Sequence, residues 1–215
     1  MLEGEPARGN SEFENGDRYV GDVSSTGKRE GHGTYYYTSG DKYTGEWAAG
    51  KQHGQGVYAY VNGDRYVGGW QHGRPSGEGC YFFRSGKVFS GQYSNGNPDG
   101  PGAFSYPNGE RLDGVWNGGS FPSHGVYHYA NGDCYGGSWR AGKKHGTGTY
   151  YFSSGAKHQG EYCDGKPHGY AIFVEASGAA YQEEWKQGRR VSREPLSGPE
   201  RSHGERAAEI VTPCA

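Results

Sequence analysis

The sequence has very few of the aliphatic side chains that normally fill a globular core. Its 215 residues include only 2 Ile and 3 Leu, and the mean hydropathy is −0.99. No apolar run approaches the roughly 18 residues that a transmembrane helix needs, so we expect no membrane-spanning helix. An ordinary aliphatic core is excluded, and the composition by itself would favour disorder.

The chain also has no large excess of positive or negative charge, which limits the classes of partner that it can bind. The formal net charge is −2, and Lys and Arg are scattered instead of clustered on one face, so nucleic acid is not expected as a partner. The first ten residues, MLEGEPARGN, contain no apolar core, and we expect no signal peptide. The 4 cysteines form no CxxC pair, which favours reduced thiols over a disulfide framework or a zinc site. A cytoplasmic protein is the resulting prediction.

Glycine and aromatic residues are abundant instead, and they recur with a period of 23 residues. The chain contains 42 Gly, 19 Tyr and 5 Trp. The pattern Tyr-x-Gly-x-Trp-x-x-Gly that begins at Tyr43 begins again 23 residues later at Tyr66, and its skeleton continues without insertion or deletion. The later starting points are Phe89, Leu112, Tyr135 and His158. A period of this length predicts a repeat architecture, in which one supersecondary unit is stacked many times, and such arrays usually serve as binding surfaces.

Each repeat has the alternation of a β-hairpin. Residues 43–47 and 56–60 alternate polar and apolar positions, as strands do, and residues 48–55 between them are predicted to be the hairpin loop. Asn62-Gly63 then predicts a second tight turn with both residues at positive φ, so that all neighbouring strands are antiparallel. We therefore predict an all-β protein: an elongated single-layer antiparallel sheet of about seven hairpins, with half repeats at its ends. Residues 1–8 would be an N-terminal tail, 9–191 the array, and 192–215 a polar C-terminal tail.

Period-2 alternation places most of the aromatic residues on one face of this sheet. The strand glycine, such as Gly45, lacks a side chain and predicts close approach of a ring from an adjacent strand. The opposite face is polar in first strands and apolar in second strands, so either its own long side chains or another subunit covers it. The predicted partner-binding aromatic residues are Trp47, Tyr58, Tyr60, Trp70, Tyr81, Phe83, Tyr93, Phe104, Tyr106, Trp116, Tyr127, Tyr129, Trp139, Tyr150 and Phe152.

The skeleton YxGxWxxGxxHGxGxxxxxxGD resembles the MORN (membrane occupation and recognition nexus) repeat. The best matches are Tyr43–Gly56 and Tyr135–Gly148, and the resemblance extends over roughly residues 9–191. It implies a twisted single-layer antiparallel sheet, one hairpin per repeat, with an aromatic groove that can hold a partner segment. Local departures are Pro122-Ser123 in place of His-Gly, Val23 in place of Trp, and Glu183 in place of the strand glycine.

No arrangement of residues predicts catalysis, a cofactor or a metal. The pattern GxxxxGK occurs from Gly45, Gly137 and Gly160, but a phosphate loop also needs Ser or Thr next and a strand-to-helix context. His124 and His128 lie four apart, which in a strand separates them by roughly 13 Å, too far to share one metal ion. The chain is therefore expected to have no enzyme activity and to bind no small-molecule substrate.

The resemblance narrows further to the MORN-repeat radial spoke head proteins of motile cilia and flagella, through the runs HGTYYYTSGDKYTGEW and HGTGTYYFSSGAKHQGEY. This similarity implies a structural subunit of the axoneme, in the cytoplasm and cytoskeleton. Its partners would be other radial spoke head proteins in a large complex, with contact to the central apparatus as a further possibility. The alternative is a peripheral membrane adaptor for anionic phospholipids. That function would need a basic cluster, for which Lys143-Lys144 and Arg189-Arg190 are the candidates.

Overall fold

Consecutive antiparallel β-hairpins make up the fold. The structure, a computed structural model, describes residues 7–196, and these contain 17 strands and no helix, hence no helix that could span a membrane. The strands are β1 (Ala7–Glu12), β2 (Arg18–Val23), β3 (Arg29–Tyr36), β4 (Lys42–Ala48), β5 (Lys51–Ala59), β6 (Arg65–Gln71), β7 (Arg74–Phe82), β8 (Val88–Ser94), β9 (Asn97–Ser105), β10 (Arg111–Trp116), β11 (His124–His128), β12 (Cys134–Arg140), β13 (Lys143–Tyr151), β14 (Lys157–Cys163), β15 (Lys166–Val174), β16 (Ala180–Lys186) and β17 (Arg189–Pro195).

The chain forms two compact units. Among the described residues, unit 1 consists of 7–107 and 116–120, and unit 2 consists of 108–115 and 121–196. In unit 1 each strand from β1 to β9 pairs with the next in antiparallel register. In unit 2 the same holds from β10 to β17. The all-β, antiparallel fold predicted from the period is confirmed.

The tightest turns lie where the sequence predicted long loops. Residues 48–55 are not a loop: β4 ends at Ala48, and β5 already begins at Lys51. Between them, Ala49 (φ 50°) and Gly50 (φ 82°) both have positive φ, as a two-residue type I′ hairpin turn requires. The second strand therefore starts five residues earlier than the alternation indicated. The pairing register shifts after Gly45, as in a β-bulge, because Gly45 pairs with Gly56 but Glu46 pairs with His53. This shift obscures the period-2 pattern.

The Asn-Gly dipeptides form a different turn from the one predicted. Gly63 has φ 94°, but Asn62 does not have positive φ, so this is not a type I′ turn. The Gly63 N–H donates to the Tyr60 carbonyl, and the Tyr60 N–H donates to the Asp64 carbonyl, each at 3.0 Å. The Asn62 side chain accepts the Asp64 N–H, an Asx contact that holds the loop. The result is a longer loop with one left-handed glycine, which accepts either Asn or Ser before the Gly.

A row of glycines crosses each unit at the middle of its strands. In unit 1 the cross-strand register joins Gly45 to Gly56 and Gly68 to Gly79, and it also joins Gly56 to Gly68. In unit 2 it joins Gly137 to Gly148. Most second-strand glycines lie under the ring at the first position of their repeat, which is a tyrosine or, above Gly102, Phe89. A Cβ added at Gly79, for example, would lie 2.6 Å from Cζ of Tyr66. These glycines leave the space that the rings fill.

The glycine beneath the ring is not the one that the sequence predicted. The ring comes from the paired strand, but it covers Gly79 and not the first-strand Gly68. An added Cβ at Gly68 would meet backbone first, namely Cα of Gly79 at 2.5 Å and the carbonyl of Glu78 at 2.6 Å. The two glycines of a pair therefore serve different purposes: one lets the strand backbones approach, and the other receives the ring.

The limits of the array and the state of the cysteines differ in part from the predictions. β17 continues to Pro195, four residues into the segment predicted as a polar tail. The rest of that tail, from 197, and residues 1–6 lie outside the described residues.

Cys80 and Cys163 are free, as expected, but Cys134 is disulfide-bonded, so the expectation of reduced thiols is wrong at that position.

The contact between ring and glycine gives a stability prediction. Gly79→Ala should destabilise the protein by about 1–3 kcal/mol, because the new methyl group overlaps the buried Tyr66 ring. In a Tyr66→Leu background the same change should cost clearly less, since leucine leaves room above the glycine. The chain itself places Leu112 at the equivalent position. Chemical denaturation of the two single variants and the double variant measures this coupling. An equal cost of Gly79→Ala in both backgrounds would contradict the model of ring contact.

Candidate protein-binding surface

A buried row of rings runs along one face of unit 1 and forms its core. Each ring meets the next edge to face, the geometry that aromatic pairs prefer. The centroid separations lie between 4.9 and 5.6 Å, with interplanar angles between 74° and 89°. We call this the inner row. Its members in unit 1 are, in spatial order, Tyr19, Trp47, Tyr43, Trp70, Tyr66, Tyr93, Phe89 and Trp116.

Unit 2 has its own inner row with one chemical change. Trp139, Tyr135 and Tyr162 form the buried cluster, and neighbouring centroids lie 5.1 and 5.0 Å apart. His158 then takes the place of the first tyrosine. It bonds the Tyr162 hydroxyl at 2.8 Å and stacks edge to face on Trp185. Burial lowers the pKa of His158, so the imidazole is held in its neutral form.

In most repeats the polar atoms of the inner row donate to backbone carbonyls at fixed sequence offsets. The Tyr66 hydroxyl donates to the Gly69 carbonyl, three residues on, at 3.1 Å. The Trp70 Nε1–H donates to the Gly56 carbonyl, fourteen residues back, at 3.3 Å. The same bonds recur from Tyr19, Tyr43 and Tyr135, and from Trp47 and Trp139. These bonds explain why tyrosine and tryptophan, and not merely any ring, occupy the two positions.

A second row of rings lies beside the inner row, and most of its members are only partly buried. Its centroid separations are 4.5–6.3 Å in unit 1 and 4.8–6.1 Å in unit 2. We call it the outer row. In unit 1 it consists of Phe13, Tyr35, Tyr37, Tyr58, Tyr60, Tyr81, Phe83, Phe104 and Tyr106. In unit 2 it consists of Tyr127, Tyr129, Tyr150, Phe152 and Phe173.

A carboxylate at the turn fixes alternate tyrosines of the outer row. Asp64 accepts the Tyr81 hydroxyl at 2.9 Å and the Arg84 N–H at 2.7 Å, so it ties one turn to the next hairpin. The pairs Tyr35 with Asp17, Tyr58 with Asp41, Tyr127 with Glu110, and Tyr150 with Asp133 repeat this bond. The backbone hydrogen bond from Arg84, and then the Tyr81 hydroxyl, lower the pKa of Asp64. Burial, followed by the hydrogen bond to Asp64, raises the pKa of Tyr81.

Two repeats lack both the turn carboxylate and the tyrosine that would donate to it. Lys87 stands where the others have a carboxylate, and the ring at the partner position is Phe104, which has no hydroxyl. In the last full repeat Ala156 stands at the carboxylate position and Phe173 at the ring position. No tyrosine of the outer row thus faces a missing acceptor at this position. This joint absence is visible in the sequence, although the 23-residue period alone does not predict the pairing.

The fifteen predicted aromatic residues divide between the two rows. Ring contacts place tryptophans and tyrosines on one face within each unit, as predicted. Trp47, Trp70, Tyr93, Trp116 and Trp139 belong to the buried inner row, and Trp70 is only 6% exposed. The other ten belong to the outer row, and Phe152, at 37%, is the most open of them. Partner binding at these residues stays a prediction, and only the outer row offers an accessible surface.

The opposite face carries the cavities and is partly covered by its own long side chains. In unit 2 a cavity of about 790 Å³ lies over the glycine row and includes Thr147, Gln159 and Tyr170 among its lining residues. Tyr170 is 62% exposed. Arg65 lies over the Phe82 ring at 4.5 Å, so in this place the chain covers its own apolar surface. Exposed Tyr170 shows that self-covering is incomplete on this face.

In the last strands of unit 2 a group of charged residues occupies the region of a strand glycine. Glu183, which stands at a strand-glycine position, is 1% exposed and accepts bonds from Trp185 Nε1 at 2.9 Å and from Arg190 at 3.0 Å. Arg193 lies 3.7 Å from the same carboxylate and bonds Glu175 at 2.7 Å. A buried carboxylate is tolerated here because two guanidinium groups and an indole N–H surround it.

Residues 7–196 contain no group of three or more His, Cys, Asp or Glu side chains able to hold a metal ion. His145 Nδ1 and His158 Nε2 are buried without a hydrogen-bond partner, but they lie in different strands of the array. The described residues offer a contact surface with hydrogen-bonding groups.

The fold and the surface define a β-repeat protein, built from hairpins that stack their rings along one face. Model matches to the MORN repeat cover residues 26–42, 43–65, 66–88, 89–111, 113–134, 135–157 and 158–179. These matches extend over most of the chain, and the protein belongs to the MORN repeat family.

Comparison with curated proteins gives no match. Among solved structures, the TCP domain of Drosophila melanogaster SAS-4 in complex with a proline-rich motif of Ana2 has a TM-score of 0.50 and 11% identity, over 85% of this chain and 96% of that one. The TCP10 domain of Danio rerio CPAP in complex with a STIL peptide has a TM-score of 0.44 and 14% identity, over 88% and 100%. At these identities the likeness concerns the fold alone.

The inner row predicts where truncation is most damaging. Trp70→Ala should destabilise the protein by about 3–5 kcal/mol, because it empties a buried site and leaves the Gly56 carbonyl without its donor. Trp185 is half-buried in the end repeat, so Trp185→Ala should reduce stability clearly less. Thermal melts of the two variants make the comparison. Equal losses would contradict a linear array, in which each repeat depends on its immediate neighbours.

The turn carboxylates predict loss of stability in acid. The pKa of Asp64 is lower in the folded than in the unfolded protein, so its stabilising contribution is present above about pH 4 and is lost as the pH falls through the folded value. Asp64→Asn should therefore lower the unfolding free energy near neutral pH and flatten its fall in acid. Glu14→Gln, at an exposed turn position, is the control. Denaturant titrations between about pH 7 and pH 3 test this. Parallel pH profiles of Asp64→Asn and the wild type would contradict it.

Proposed function

We propose that this chain is a non-catalytic scaffold subunit that docks other proteins through the outer row of rings. The observation that carries the proposal is the outer row itself, a series of half-buried aromatic residues with polar edges in each unit. Aromatic side chains of this kind are enriched at protein–protein interfaces, because they offer large contact area together with a hydrogen-bonding tip. Monomers rarely leave such surface uncovered.

The rigidity of the outer row supports a docking function. The Tyr58 hydroxyl is fixed by Asp41 at 3.0 Å, and the Tyr150 hydroxyl is fixed by Asp133 at 2.6 Å. Side chains held in place before binding lose little conformational entropy when a partner arrives, and this lowers the cost of association. The fold is also compatible with peptide binding, since the similar SAS-4 TCP domain is in complex with a proline-rich motif.

We place this docking function in the radial spoke head of the ciliary and flagellar axoneme. The support is the resemblance of the two runs HGTYYYTSGDKYTGEW and HGTGTYYFSSGAKHQGEY to the MORN-repeat subunits of that complex, among them flagellar radial spoke protein 10. The partners would then be other spoke head proteins, and the location the cytoskeleton of motile cilia. A subunit in this place transmits control of beating and does not build the doublet microtubules.

The lipid-adaptor alternative draws little support from the proposed basic residues. Arg190 is engaged with Glu183 at 3.0 Å. The Lys144 Nζ lies over four tyrosine rings and not on an open rim. An anionic membrane surface is bound by clusters of several free cations, and these two pairs do not form one.

Detergent extraction of motile cilia tests the proposal. We expect the protein to remain with the extracted axonemes and to leave them together with spoke components, and we expect its loss to impair beating while the doublets still assemble. Release with the membrane fraction under mild detergent would contradict the proposal and favour the lipid adaptor.

A matched pair of variants then locates the docking face. Phe152→Ser removes an exposed ring of the outer row, and Tyr170→Ser removes an exposed ring of the opposite face. With purified variants added to axonemal extract from which this protein alone has been depleted, Phe152→Ser should capture fewer spoke head proteins, and Tyr170→Ser should capture as many as the wild type. The reverse result would assign docking to the opposite face.

A further inference from the structure

Lys144 is a partly buried cation of unit 2 that has no counter-charge among the described residues. Its Nζ lies 4.8 Å from the ring centroid of Tyr150 and 5.4 Å from those of Tyr135 and Tyr162, with Tyr129 at 5.9 Å. Within residues 7–196 this ammonium group has no hydrogen-bond acceptor and no ion-pair partner. Burial without a compensating anion lowers its pKa. The charge is held by the ring faces alone.

Equivalent positions in the other hairpins show that the fold does not need a cation here. Lys144 pairs in register with Trp139, as Gln52 pairs with Trp47 and Pro75 with Trp70. Glutamine and proline fill this position without any charge, and Pro98 and Pro167 do so in two further repeats. A lysine here therefore needs an explanation other than strand pairing or core packing.

The two other cations at this position have found an acceptor inside the chain. Arg29 lies over the rings of Tyr35 and Trp47, and its guanidinium also donates to the Gly50 carbonyl at 2.7 Å. Arg190 donates to the Glu183 carboxylate at 3.0 Å. Lys144 differs in having three N–H donors and no acceptor, so an acceptor from outside the chain would complete the arrangement.

We propose that Lys144 receives an aspartate or glutamate side chain of a partner peptide that lies along the outer row of unit 2. This inference rests on the proposed docking function and names the chemistry of its partner. A carboxylate at Nζ would supply the missing acceptor and charge in a partly desolvated site. The rings of Tyr129 and Tyr150 beside it would contact the apolar residues that flank the acidic one. A peptide fits better than a membrane, since a single enclosed cation gives a lipid surface too little charge to bind.

A displayed library of random peptides about ten residues long, selected on the full-length protein, tests the proposal. Peptides from the wild type should share Asp or Glu at one position beside aromatic or aliphatic residues. Replacing that residue by Asn or Gln in a synthetic peptide should weaken binding about tenfold or more. Lys144→Gln should abolish the preference, Lys144→Arg should retain it, and Lys143→Gln, the exposed neighbour, should leave it unchanged.

The possible outcomes separate this inference from the function on which it rests. Peptides that bind the wild type but not Phe152→Ser, and that share no acidic position, would overturn the role of Lys144 and leave docking intact. An acidic preference that persists in Lys144→Gln would overturn it equally. Failure to select any peptide would count against both. Binding to phosphatidylserine vesicles that is lost in Lys144→Gln would replace the peptide with a lipid ligand.

Discussion

The structure depends on one steric relation, a ring buried above a strand glycine. A sheet one layer thick has no second layer to cover its rings, so the rings must be buried by their own sheet. The glycine at the cross-strand position, such as Gly79 below Tyr66, removes the side chain that would otherwise occupy that space. Tyrosine then has to satisfy its hydroxyl, and the carbonyl three residues later accepts it. In the last full repeat Ala171 takes the position of this glycine, and His158 takes the position of the tyrosine.

This relation explains why so hydrophilic a composition folds. The inner row supplies apolar burial through tyrosine and tryptophan, which hydropathy scales count as weakly apolar because of their polar atoms. Many of those atoms bond a backbone carbonyl at a constant offset, so that their burial carries little cost in unsatisfied hydrogen bonds. The same economy continues in the outer row, where the turn carboxylates take the tyrosine hydroxyls. A repeat sequence can keep this pattern because every offset is shorter than one period.

Much of this could be predicted from the sequence, and the failures have physical causes. The period, the antiparallel hairpins and the aromatic face followed from the regular spacing of Tyr, Gly and Trp. The position of the tight turn could not be predicted, for two reasons. Ala49 has a left-handed conformation that alanine rarely adopts, so its residue type does not indicate a turn. The bulge after Gly45 also interrupts the alternation from which the start of β5 would be read. The division into a buried and an accessible row could not be read from alternation alone, since both rows share one face. The pairing of Asp64 with Tyr81 was open to prediction from the joint absence at Lys87 and Phe104. The free charge of Lys144 was not, because only the structure shows which cations have found acceptors.

The two rows divide stability from recognition within a single face. The inner row is buried and bonded in most repeats to the backbone, so its residues are constrained by folding. The turn carboxylates fix alternate rings of the outer row, and rings such as Phe152 remain open to solvent. Substitutions among these open positions can therefore alter the surface without disturbing the inner row. Residues at the boundary, such as Lys144, touch both rows and are stabilised by the rings. A MORN array can in this way keep one fold and still present different chemistry to a partner at each repeat.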